Sequence, residues 1–164
     1  MNMDVTIRKY EPVDKEIIEN FFDVFLDFIA SMDPLERLRR LPGFGQKYLQ
    51  TTLRDVKRKN GAMYVAMKEN HVIGFVVGVI IKQKTIERYE CIPTTTGRVT
   101  ELFVHDPYRG KNIGSLLLNK IESYFKTNDC NVIYIEVFEP NTRAHNFYQS
   151  FGYKDRRRDM IKQI

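Results

Sequence analysis

The sequence predicts a mixed α/β (α+β) fold, and three observations carry that reading. Val99-Thr100-Glu101-Leu102-Phe103-Val104 alternates β-branched and apolar residues as a strand does. Downstream, Ile113, Leu116, Leu117, Ile121 and Tyr124 recur at helical spacing. Two further runs, Met63 to Lys68 and Val72 to Lys82, read as a hairpin that turns at Glu69-Asn70.

Taken in order, Val5 to Lys9 has the pattern of a first strand. Asp14 is placed to cap a helix whose apolar positions Ile18, Phe21, Phe22, Phe25 and Phe28 share one side. Glu16, Glu19, Asp23 and Asp27 fall on the other side, so this acidic stripe is expected to face solvent. Pro34 is expected to open a second helical stretch, broken at Leu41-Pro42-Gly43-Phe44-Gly45 and resuming to about Lys59. Asn60-Gly61 turns the chain into the hairpin. The polar segment from Gln83 to Gly97 reads as an exposed excursion. A strand over 98–104, a helix over 112–127, a strand over 131–138, a helix over 141–150 and a last strand from about Tyr153 complete the chain. No internal repeat or interdomain linker interrupts residues 1–164, which are expected to form one domain.

Composition excludes several classes. The 164 residues are 43% hydrophobic and 29% charged, as in a globular protein and not a disordered one. The longest apolar run, Val76 to Ile81, is far too short to span a bilayer. Met1-Asn2-Met3-Asp4 lacks the basic start of a signal peptide, and Cys91 and Cys130 form neither a metal spacing nor a disulfide framework. A cytoplasmic protein with reduced thiols and no membrane partner is expected. The net charge of +5 is unevenly spread. Residues 11–36 set eight acids against Lys15, whereas residues 37–60 set eight bases against Asp55. Such a basic stretch suits nucleic acid, but a solvated helix face that also attracts a polyanionic cofactor is the simpler account. Nucleic acid is therefore an unfavoured partner.

The stretch Arg109-Gly110-Lys111-Asn112-Ile113-Gly114 joins the strand ending at Val104 to a helix. A glycine-containing loop there turns backbone N–H groups toward one point, where the helix dipole favours an anion. It lacks the Lys-Ser/Thr ending of a nucleotide P-loop and the three-glycine dinucleotide fingerprint. A second block, Asn141-Thr142-Arg143-Ala144-His145-Asn146-Phe147-Tyr148, runs on to Phe151-Gly152-Tyr153. Together the blocks resemble the GNAT superfamily of N-acetyltransferases. Its first motif reads Arg/Gln-x-x-Gly-x-Gly/Ala and its second Asn-x-x-Ala-x-x-Phe-Tyr followed by Gly-Tyr or Gly-Phe. Arg109 and Gly114 fit the first. Asn112 replaces its first glycine, and asparagine is the non-glycine residue best able to enter left-handed backbone space.

The resemblance implies a GNAT fold, a largely antiparallel central sheet flanked by helices, and acetyl-CoA as cosubstrate with no metal. It implies backbone contacts from Leu102, Phe103 and Val104 to the pantetheine arm, with the Val104 N–H as oxyanion donor. It further implies that Arg109, Gly110, Lys111, Asn112, Ile113 and Gly114 hold the pyrophosphate and that Asn141 touches the arm while capping its helix. Tyr148 stands where the family places a general acid for the departing thiolate. The plain alternative is an aromatic packed beside Phe147 and Phe151, but those two form the core face and leave Tyr148 turned partly away. Glu101 is the candidate acid–base group or acceptor anchor, with a solvent-facing or ion-paired glutamate as the plain alternative. Glu136 is a weaker substitute. His71, His105 and His145 are scattered, and His105, just past the strand, is expected to be exposed. The expected reaction is direct acetyl transfer to a primary amine in a ternary complex, the acceptor being a small cationic amine or a peptide amine. A non-catalytic CoA-binding sensor is the alternative, and a homodimer through the last strand is a further expectation.

Overall fold

The computed structural model describes residues 4–164. Met1, Asn2 and Met3, part of the segment judged unlike a signal peptide, lie outside the described residues. Five strands form one sheet in the order β1 (Thr6–Lys9), β2 (Ala62–Lys68), β3 (His71–Lys82), β4 (Thr95–Val104) and β5 (Val132–Ile135). The first three pairings are antiparallel and the last, β4 with β5, is parallel. The β2–β3 turn is set by Glu69 and Asn70, both at positive φ (47° and 64°), the conformation of a tight hairpin turn.

Helices α1 (Lys15–Ala30) and α2 (Phe44–Arg58) cover one face of the sheet. Their side buries Ile18, Phe21, Phe22 and Leu49 against Val65, Phe75, Val77 and Phe103. Helix α4 (Ile113–Thr127) covers the other, burying Ile113, Leu117, Leu118, Ile121 and Phe125 against Tyr64, Val76 and Val99. A one-turn helix α3 (Glu87–Glu90) lies in the excursion after β3, and α5 (Thr142–Ser150) follows β5. Gly78 and Gly97 let Phe125 lie flat on the sheet, since a Cβ on either would stand 2.5 Å from its ring. No described helix is long and apolar enough to cross a membrane.

Strand β4 carries the irregularity that matters. Val77 pairs with Glu101 and Gly78 with Val99, so Thr100 is an extra residue, a β-bulge. Residues two apart on a regular strand share a face. Across this bulge they do not. Val99 belongs to the α4 side, while Phe103 packs with α1 and Glu101 bonds a side chain of α2.

Three expectations are corrected. Residues 34–43 are not helical, because the Asp33 carboxylate accepts the N–H groups of Leu35, Arg37 and Leu38 and holds the segment as a loop, with Glu36 at φ 50°. No strand follows Tyr153. Its hydroxyl donates to Glu122 of α4 at 2.7 Å, and the charged run Lys154 to Asp159 offers no alternating apolar face. The acidic side of α1 faces solvent only in part: Glu16 and Asp27 are exposed, but Glu19 and Asp23 are half-buried. Asp23 and Asp27 take Arg40 at 3.7 and 2.8 Å, and Asp23 also accepts the Gly45 N–H at 2.9 Å. Asp14 does stand before α1, but its carboxylate turns back to Arg8 at 2.7 Å and to the Glu11 N–H at 2.9 Å.

Candidate functional site

The parallel pairing of β4 with β5 runs from Thr96–Val132 to Val99–Ile135 and stops there, at the bulge. β4 continues to Val104 while β5 ends, so the two strands part and leave a small cleft open to solvent. Phe25 and Ile29 of α1 line one side, and Asn141, Ala144 and Tyr148 line the other. Glu101 and Leu102 form its floor with the segment 136–138 that leaves β5.

The edge of β4 facing this gap has unpaired backbone. The His105 N–H bonds the Ile73 carbonyl at 2.9 Å, so His105 and, by alternation, Phe103 direct their amides toward β3. Leu102 and Val104 therefore direct theirs into the gap. The Val104 carbonyl is already engaged, accepting from Arg109 Nε at 2.9 Å. Arg109 also pairs with Asp106 at 2.7 Å and lies over the rings of Phe28 and Phe103. Its guanidinium thus fixes the strand end instead of reaching forward over the loop.

The loop that follows has the shape its sequence suggests. Gly110 (φ 75°) and Asn112 (φ 64°) are both left-handed, so asparagine adopts the conformation for which the usual glycine is selected. Asn112 is the N-cap of α4, and no side chain caps the helix start. The first helical bond there runs from the Leu116 N–H to the Asn112 carbonyl, which leaves the N–H groups of Ile113, Gly114 and Ser115 without intrahelical partners. Fifteen aligned peptides add positive potential at that end. Lys111 stands beside it over the Tyr108 ring. Phe147 of α5 packs near Gly114, where a Cβ would meet its ring at an ordinary 3.5 Å. These features fit a pyrophosphate and the CoA that carries it.

Glu101 is 8% exposed, and its Oε1 accepts a hydrogen bond from the Tyr48 hydroxyl at 2.5 Å. Burial raises its titration to about 7, with the Tyr48 bond pulling the other way. Tyr148 faces the same cleft, and its phenol is pushed well above its ordinary value, first by burial and then by the charge of Glu101. It therefore stays protonated across the working pH range. Phe147 and Phe151 pack together at 5.0 Å and turn the adjacent Tyr148 toward the cleft. The Asn141 side chain accepts the Ala144 N–H at 3.2 Å, a plain N-cap that still lines the cleft.

Other candidates fall away from the centre. Glu136 pairs with Arg98 at 2.5 Å and its side chain is 83% exposed. His105 is not simply exposed, as its ring stacks on Phe21 at 5.5 Å. His145 pairs with Asp155 at 2.6 Å. Among the described residues no cluster of three His, Cys, Asp or Glu could hold a metal. Tyr48 is the residue that sequence reading misses. It lies 53 positions from Glu101 in no motif, and its one signal is the helical spacing to Phe44, whose ring packs on it at 5.1 Å.

With the geometry in hand, comparison places the chain among known proteins. The profile of the acetyltransferase (GNAT) family matches residues 29–153. An uncharacterized N-acetyltransferase of Methanocaldococcus jannaschii is 33% identical over 95 residues, which is 57% of this chain and 53% of that protein. The chain thus matches about half the length of that relative. A mutant of the BH1408 protein from Bacillus halodurans superposes with a TM-score of 0.84 at 20% identity, over 97% of this chain and 99% of the other. A predicted acetyltransferase of Clostridium acetobutylicum, solved with acetyl-CoA, gives 0.75 at 12% identity, over 97% and 96%. At these identities the two structures establish the shared fold.

Proposed function

The chain belongs to the acetyltransferase (GNAT) family, and from that premise we propose that it moves an acetyl group from acetyl-CoA to a primary amine by direct attack in a ternary complex. The observation that carries the reading is the convergence of Glu101, Tyr148 and the unpaired β4 edge on one cleft. One transferase domain spans residues 1–164 and works in the cytoplasm.

The pyrophosphate of acetyl-CoA rests on the loop from Arg109 to Gly114, held by the free N–H groups at the start of α4 and by Lys111. Arg109 contributes by anchoring the strand end. The pantetheine arm lies along Leu102, Phe103 and Val104 as an added strand would, with Asn141 opposite. An acceptor arriving as an ammonium gives one proton to Glu101, whose titration near 7 suits a base at neutral pH. The freed lone pair attacks the thioester carbon, and the Val104 N–H donates to the carbonyl oxygen as charge builds there. The carbon–sulfur bond then breaks. Tyr148 gives its proton to the leaving sulfur and recovers one from the nitrogen of the new amide. The products are the acetylated amine and the CoA thiol.

Thiol release from acetyl-CoA tests the proposal, compared between the native chain and Tyr148→Phe. The expected result is turnover in the native chain and at least a tenfold lower rate in the variant, with unchanged CoA affinity, since a positioned general acid contributes about 100-fold or more. Wild-type turnover by the phenylalanine variant refutes the acid role. Tight CoA binding without thiol release from any amine favours a sensor.

A further inference from the structure

The walls of the cleft on its α1 side are apolar. Phe25 and Ile29 line the cleft together with Val137 and Phe138 and the buried Glu101, while Leu102 packs toward the α4 side. Only one other carboxylate lines the space, Glu136, and it is tied to Arg98 at the exposed rim. Two acids of α1 are paired elsewhere. Asp23 and Asp27 hold Arg40, and Asp23 also holds the Gly45 N–H.

We propose that the acceptor is a small primary monoamine carried on an apolar body, an alkylamine or arylalkylamine, and not a polycation. The inference rests on the transferase reading above and adds the substrate class. Its physical basis is a matching of charges. A buried ammonium needs an anionic partner, and the cleft offers one unshared carboxylate. The amine end of a monoamine meets Glu101, while its carbon chain meets Phe25, Ile29 and Phe138. A diamine, polyamine or aminoglycoside brings further ammonium groups against those same apolar walls, where each must shed water or remain outside. The cleft is small and also has to admit the thioester end of CoA, which suits a short acceptor.

Matched amines provide the test. Butylamine, pentylamine and hexylamine differ by single methylenes, and hexamethylenediamine differs from hexylamine mainly by a second ammonium. The expected outcome is a rise in kcat/KM of about fourfold for each methylene. Hexylamine should exceed hexamethylenediamine and spermidine by at least about tenfold, the lower range expected for an unpaired buried charge. Ile29→Asp should narrow that gap by supplying the missing carboxylate. Equal or better turnover of the diamine, spermidine or an aminoglycoside overturns the inference and leaves acetyl transfer standing. Calorimetric titration of the CoA-bound protein with the same amines reads acceptor preference without chemistry. Tighter binding of hexylamine with no thiol release supports the acceptor class and overturns the transferase reading instead.

Discussion

Replacing Glu101 by Gln should make the protein more stable and much less active, and the first effect follows from the burial of the carboxylate. Its titration lies at about 7 against an ordinary 4.5. The folded state therefore holds the proton more tightly than the unfolded chain does. Between those two values the unfolded chain has already released it, so stability falls as pH rises through that window, and the loss is complete above the folded value. At 1.36 kcal/mol for each pH unit, the cost above neutral pH is about 3 kcal/mol. Glutamine keeps the shape and accepts the Tyr48 hydrogen bond, but carries no charge to desolvate. Urea unfolding of both proteins at about pH 5 and about pH 8 measures the effect. The variant should gain about 2–3 kcal/mol at the higher pH, equivalent to roughly 5–10 °C in Tm for a chain of this size, with little gain at the lower. Thiol release by the variant should drop by about 100-fold or more and should not recover at high pH. If the two proteins show the same pH dependence of stability, the buried-charge argument is wrong.

Two further predictions test neighbouring features. Tyr48→Phe removes the bond that favours the ionised carboxylate, so Glu101 should titrate higher still and the acidic, rising limb of the rate profile should move up by about one pH unit or more. The rate then falls at neutral pH and recovers in alkaline buffer, a signature that distinguishes a misplaced titration from a misfolded helix. Gly97→Ala sets a methyl 2.5–2.7 Å from three ring atoms of the fully buried Phe125, and overpacking of that kind should cost about 1–3 kcal/mol in urea unfolding.

Local pattern was enough to find what depends on local pattern. The hairpin was legible because Glu69-Asn70 sits between alternating runs, and the start of α4 because Asn112 tolerates a left-handed backbone. The two motif blocks pointed to Glu101, Tyr148 and Asn141, and all three line one cleft. What stayed hidden depends on distant partners. The stretch after Pro34 has helical composition, but three N–H groups are captured by Asp33 instead. The segment after Tyr153 is a charged run without an alternating apolar face, and it stays out of the sheet. Tyr48 meets Glu101 only because α2 packs across the sheet, and no spacing rule links residues so far apart. The bulge at Thr100 is invisible to an alternation rule that presumes unbroken register.

That extra residue acts on β4 as a frameshift acts on a message. Upstream of it, alternate side chains are read by α4 as packing, at Gly97 and Val99. Downstream, the same alternation is read by α1 and α2, and its first letter is a carboxylate that needs a hydroxyl beside it. Deleting Thr100 would leave Val99 opposite Gly78 and Glu101 opposite Val77 with no bulge between them, so the carboxylate would keep its face and only the local bend of the strand would be lost. The face that Glu101 takes is thus set by counting pairs across to β3, not by counting residues along β4.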